Sequence, residues 1–297
     1  MGIIIICIII FFVIYKLTRK KNGQSPTSST TKKTDTSISY MAPTISPDRR
    51  TTSTNKRSVF ESKAEANYRE MSTDIPTEEI LVSEEPAKKC SIAHLGELTY
   101  SNITKKTPRD KLGNFVVIDT ETTGLKPSNS EIISVAAIRF RDFRPVCKFT
   151  ALLEPMKPIP EEATKINGIT NGMVVGHPHF QQIAASLVEF IGTDNLVGHN
   201  LPFDLSFIVR YGADVTVQKR KYYDTLAIAR RTVKQEKLKW DPELEDYIPV
   251  VERPGVENYK LGTLCDWYGI PHQDSHQSEC DALATGFLFK QLSDDRM

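Results

Sequence analysis

Phe115 to Leu125 run FVVIDTETTGL: four apolar residues, then Asp-x-Glu, then a Thr-Thr-Gly turn. An apolar run of this length bounded by a turn signal reads as a buried strand. Side chains two apart on a strand share a face, so Asp119 and Glu121 project together where the strand leaves the core. Two such carboxylates repel unless a cation lies between them, and hard divalent cations prefer oxygen ligands.

Outward from this strand, apolar runs alternate with helical patterns from Gly113 to Leu292. Glu131 to Phe140 and Cys147 to Leu153 read as two further strands, and short connections make the three an antiparallel meander. Pro178 to Ile191 has helical spacing through Ile183, Leu187 and Phe190, and Asn195 to Val197 is a short buried strand. Pro202 opens a helix with Phe203, Phe207 and Tyr211 at intervals of four, and Asp204 lies beside that stripe. Further helices fit Thr225 to Val233, Leu261 to Tyr268 and Glu279 to Leu292. The fold class is therefore α/β, a mixed β-sheet flanked by helices.

The first third of the 297 residues has a different character. Residues 1–17 are almost wholly apolar, with GIIIICIIIFFVIY spanning Gly2 to Tyr15 and Lys16, Arg19, Lys20 and Lys21 following. The run is short for a bilayer. The basic flank nevertheless predicts a membrane anchor through residues 2–17, with the following chain on the cytoplasmic side. A cleaved segment, leaving a soluble intracellular protein, is the alternative. Residues 18–112 are expected to be a polar, largely disordered linker, because their composition buries too little surface to offset ordering. Between Lys16 and Arg57 ten Lys/Arg face only Asp35 and Asp48, a balance suited to anionic lipid or loosely held nucleic acid. Residues 113–292 form the expected catalytic domain, and 293–297 a tail. The five cysteines form no CxxC pair, which speaks against a zinc site or a disulfide framework.

Two more segments add to Asp119 and Glu121: LVGHNLPFDLSFI (196–208) brings Asp204, and HQSECDALATG (276–286) brings His276 and Asp281. Four acids can hold two metals and a histidine beside them can move a proton, the inventory of two-metal phosphodiester hydrolysis. With INGIT (166–170), YYDTL (222–226) and NYKLGTLCDWYGI (258–270), six blocks stand in order. In these blocks the chain resembles the DEDDh 3′→5′ exonucleases of the ribonuclease H-like fold, in particular the proofreading exonuclease of bacterial DNA polymerase III. The resemblance implies that Asp119, Glu121, Asp204 and Asp281 bind two Mg²⁺ or Mn²⁺ ions and that His276 is the general base. It also implies that Thr122, Thr123, Gly124 and Leu125 hold the terminal nucleotide, with His199, Asn200 and Phe203 helping to seat the strand.

The activity implied is metal-dependent removal of nucleoside 5′-monophosphates from single-stranded 3′ ends, DNA favoured. An RNA exonuclease and a catalytically silent nucleic-acid-binding module are the other readings. Asn200 fits equally as a helix cap. Phe203, Phe207 and Trp267 read as core residues, and His272 receives no role. The stretch between Val233 and Tyr259 is longer and more acidic than the resemblance leads one to expect, and reads as a surface loop.

Overall fold

Odd and even residues of the first strand point to opposite layers of the molecule. In the computed structural model, which describes residues 75–234, 238–243, 245–249, 255–272 and 276–295, β1 is Phe115–Thr122. It pairs antiparallel with β2 (Ile132–Arg141), which pairs antiparallel with β3 (Arg144–Leu152). On its other side β1 runs parallel to β4 (Asn195–Gly198), and β4 runs parallel to β5 (Tyr222–Asp224). The order β3-β2-β1-β4-β5 is the mixed sheet expected, with the meander at one side.

The helices are α1 (Glu161–Asn167), α2 (Asn171–Val174), α3 (Phe180–Ile191), α4 (Leu201–Arg210), α5 (Thr225–Thr232), α6 (Leu261–Tyr268) and α7 (Ser278–Asp294). Val116 and Ile118 pack with Ile183, Leu187, Leu205 and Phe207 of α3 and α4. Phe115 and Val117 pack instead with Ile228, Leu264, Leu288 and Phe289 of α5, α6 and α7. On this second face α7 approaches so closely that a Cβ on Gly286 would overlap the Phe140 ring. That ring is stacked on Phe115, centroids 4.8 Å apart. β1 is thus central and covered on both faces, and its carboxyl end is left to carry the polar residues.

Residues 75–112 differ from the expectation of a disordered linker. Ile75, Ile103 and Leu112 are buried in the α7-side core, while Ile80, Ile92, Leu95 and Tyr100 pack against the opposite one. The Glu78 amide donates to the Lys148 carbonyl on edge strand β3 (2.7 Å), and the Ser101 amide donates to the Tyr222 carbonyl on edge strand β5 (2.7 Å). This strap therefore satisfies backbone groups on both open edges of the sheet. Its apolar residues are too widely spaced to read as an element, and they find their partners on a sheet distant in sequence.

The stretch read as a surface loop contains a separate two-stranded antiparallel hairpin, β6 (Leu238–Asp241) and β7 (Asp246–Pro249). The apolar anchor expected over 1–17 and the linker up to residue 74 lie outside the described residues. Among those described, no helix is long and apolar enough to cross a membrane.

Candidate active site

The alternation along β1 that builds the two cores also distributes the acidic residues. Asp119 and Glu121 continue the odd face toward α7, whereas Thr120 continues the even face toward α4. Asp204, in the first turn of α4, is buried, and its Oδ1 accepts both the Thr120 amide (2.9 Å) and the Thr120 hydroxyl (2.7 Å). The Asp-Thr-Glu order thus places three carboxylates around one strand end, two on the strand and one fastened to the residue between them.

α7 brings the fourth. Asp281 lies in its first turn, and the Asp281 Oδ2 accepts the His276 amide (3.2 Å). Atoms of Glu121, His276 and Asp281 able to ligate a metal all lie within 4.8 Å of one another. His276 adopts φ 71°, a left-handed conformation that costs a non-glycine residue energy, and its side chain is exposed. Two links hold the start of α7 against the sheet. The Ser134 and Ser278 hydroxyls share a hydrogen bond of 2.7 Å, and Lys148 Nζ meets Glu279 Oε1 at 2.6 Å.

Electrostatics mark the same point. Burial, followed by the charges of Asp204, Asp281 and Glu121, holds the Asp119 carboxyl well above the usual carboxylate range. Glu121 is pushed up to about 8, first by burial and then by Asp281, against a hydrogen bond from the Asn167 side chain. Burial raises Asp204 to about 7 although its bonds from Thr120 oppose the shift. Carboxyls so placed resist ionising together in the absence of a counter-charge. Four oxygen-donor side chains in this state, with a histidine at the rim, fit a hard divalent cation.

A cleft of about 1110 Å³ opens over the group, and Asp119, Asp281, His276, His199 and Asn200 line it. His199 follows β4 directly. Its Nε2 lies 3.0 Å from the Tyr259 carbonyl, which can only accept, so Nε2 carries the hydrogen and Nδ1 faces the Thr225 hydroxyl at 2.9 Å. Burial lowers its pKa, in keeping with a neutral ring. The ring therefore ties the 258–260 turn to the sheet. Asn200 occupies the first cap position of α4 with φ 70° and makes no side-chain cap bond; its amide donates to Asp224 Oδ1 at 2.9 Å.

The remaining predicted residues lie off the cleft wall. The Thr122 hydroxyl donates to the Gly124 carbonyl (2.7 Å), the Thr123 hydroxyl accepts the Glu131 amide (2.9 Å), and Leu125 is 83% exposed. Phe203 is half-buried against Phe207, whose core placement holds. Trp267, read as core, is instead exposed, because α6 buries Leu264 and Cys265 on its inner face.

Several contributors carried no individual signal in the sequence. Thr120 stands between the two acids, and Asn167 lies in the INGIT block. His272 Nε2 lies 2.6 Å from Asp281 Oδ1. Lys260 lines the cleft, as does Arg230, which in the sequence stands out only as the start of a basic run that could follow a phosphate backbone.

The sequence model of the exonuclease family (RNase_T) matches residues 116–289, and the chain belongs to that family, a DEDDh exonuclease of ribonuclease H-like fold. It is 31% identical over 191 residues to the DNA polymerase III subunit epsilon of Aquifex aeolicus, covering 63% of this chain and 85% of that one. It is 32% identical over 183 residues to the subunit epsilon of Treponema pallidum, covering 60% and 75%. Similarity to the PolC-type DNA polymerase III of Clostridium perfringens (29% over 186 residues) covers 61% of this chain but 12% of that much longer protein. A crystal structure of E. coli Exonuclease I with a dT13 oligonucleotide superposes with a TM-score of 0.48 at 18% identity, covering 61% of this chain and 41% of that one.

Proposed function

We propose that this protein is a divalent-metal-dependent 3′→5′ exonuclease that releases nucleoside 5′-monophosphates from single-stranded 3′ ends, with DNA preferred to RNA. The observation that carries the reading is the convergence of Asp119, Glu121, Asp204 and Asp281 beneath one cleft, with the His276 ring within reach of Glu121 and Asp281. The subunits epsilon it resembles support the preference for DNA. Asp119, Glu121, Asp204 and Asp281 would hold two Mg²⁺ or Mn²⁺ ions, which when bound lower the pKa of water and offset charge on the leaving 3′ oxygen.

The chain's own residues do the rest. Thr120 orients Asp204 through two hydrogen bonds to one oxygen, Oδ1. His276, exposed at the cleft rim, accepts the proton of the attacking water and passes it to solvent. The 122–125 turn, braced by hydrogen bonds to Gly124 and Glu131, lies off the cleft wall and would meet the terminal nucleotide only beyond the cleft edge.

The test uses the full chain with Mg²⁺ or Mn²⁺ and matched 5′-labelled single-stranded DNA and RNA. A ladder shortening from the 3′ end is expected, faster on DNA. It should fall ~10²–10⁴-fold in His276→Ala and vanish in Asp204→Ala. No cleavage by folded, metal-supplied protein would replace this reading with a silent binding module, and faster cleavage of RNA would reverse the preference.

A further inference from the structure

Besides Asp119 and Asp281 of the acidic centre and one further acid, Asp266, the cleft is lined by two basic side chains, Arg230 and Lys260. Arg230 lies in the last turn of α5, one helical step of four from Leu226, and both side chains line the cleft. Lys260 stands at the cap of α6 and lines it too. Both are exposed, and neither forms an ion pair with a described residue. Arg230 is near enough to bear on the titration of His199, which shares the wall.

Their carriers are fixed to one another. The Tyr259 hydroxyl donates to the Val233 carbonyl just beyond α5 (3.0 Å), and the Tyr259 carbonyl accepts from His199 (3.0 Å). Asn258 Oδ1 accepts both the Lys260 amide and the Thr263 hydroxyl at 2.9 Å. These four bonds make one rigid ledge of the end of α5, the 258–260 turn and the start of α6. Fixed backbone carriers limit the cost of ordering the loop when such a pair engages a ligand.

A cluster of carboxylates repels a polyanion except where cations sit. Resting on the exonuclease reading, we infer that Arg230 and Lys260 form a phosphate-binding ledge for the nucleic-acid strand. They take backbone phosphates on the 5′ side of the terminal nucleotide, while the acidic centre takes the scissile one. Such contacts position the strand without reading its bases. The ledge holds a strand in the cleft whatever its base sequence.

The experiment compares the full chain with Arg230→Gln, Lys260→Gln and the double variant on two substrates. One is a single-stranded DNA oligonucleotide; the other is the p-nitrophenyl ester of thymidine 5′-monophosphate, which has no second phosphate. The ratio of kcat/KM for oligonucleotide over ester is expected to fall roughly tenfold per substitution, the scale of a lost charge-assisted hydrogen bond. The effect should lie in KM. Oligonucleotide affinity, read by fluorescence anisotropy with Ca²⁺ in place of the catalytic metal, should lose salt dependence, the log–log slope becoming shallower by ~0.7 per contact removed.

An unaltered ratio and slope, with both substrates hydrolysed by the parent chain, would overturn the ledge and leave the exonuclease standing. Hydrolysis of neither substrate by the parent would overturn the exonuclease. The anisotropy slopes of the variants would then decide the ledge by themselves, as a strand-binding surface.

Discussion

His272 and Asp281 meet through Nε2 and Oδ1 at 2.6 Å, with side chains only 7% and 13% exposed. The other oxygen of Asp281 accepts the His276 amide at 3.2 Å. One carboxylate is thus oriented from both ends before any cation arrives, by a histidine packed beside Gly262 at the start of α6. Groups that orient a metal-binding side chain typically govern metal affinity by ~10–100-fold.

We therefore predict that His272→Ala weakens Mn²⁺ binding by ~10–100-fold, measured by titration without nucleic acid. His272→Gln, which keeps a donor, should recover much of the loss. Equal Mn²⁺ affinity in the parent and His272→Ala would show that His272 does not position Asp281.

Stability should depend on pH in an unusual direction. Asp204 and Glu121 have folded-state pKa values raised to about 7 and about 8, above their ordinary values of 3.8 and 4.5. Between pH 4 and 8 the folded state therefore binds more protons than the unfolded chain, and stability falls as pH rises. We predict that the melting temperature of metal-stripped protein drops by roughly 5 °C or more from pH 5 to pH 8. Mn²⁺ added at pH 8 should restore it, because the cation favours the ionised carboxylates. A melting temperature that rises over this range without metal would contradict the buried-acid account.

The strap predicts a sharp boundary for truncation. A fragment beginning at residue 75 keeps the strap. Removing 1–112 uncovers β3 and β5, whose backbone groups are paired by Glu78 and Ser101. Exposed sheet edges pair with other chains. The shorter fragment should then aggregate or melt well below the longer one, as read by light scattering and calorimetry. Identical behaviour of the two fragments would show the strap to be dispensable.

Gly286 supplies the last prediction. Because an added Cβ would strike the Phe140 ring, Gly286→Ala must displace α7 or break the Phe115–Phe140 stack. A loss of ~1–3 kcal/mol is expected from chemical denaturation, the usual range for overpacking. Asp281 rides on the same helix, so exonuclease activity should fall with it. An unchanged denaturation midpoint would mean that α7 can shift without cost.

The sequence by itself determined which four carboxylates and one histidine are proposed for catalysis, and the frame that bears them. FVVIDTETTGL carries the strand, the spacing of its acids and the turn in eleven consecutive residues. Strand and helix periodicity are local properties, so β1–β4 and the longer helices were legible to within a few residues. β5 was not, since three residues are too few to show a period. The strap was hidden for another reason: its scattered apolar residues acquire meaning only against edges far away in the chain. Arg230 was legible only as part of a basic run that could follow a phosphate backbone; His272, Thr120 and Lys260 were decided by tertiary structure alone, because a hydrogen bond or a shared cleft depends on distances that chain order does not encode.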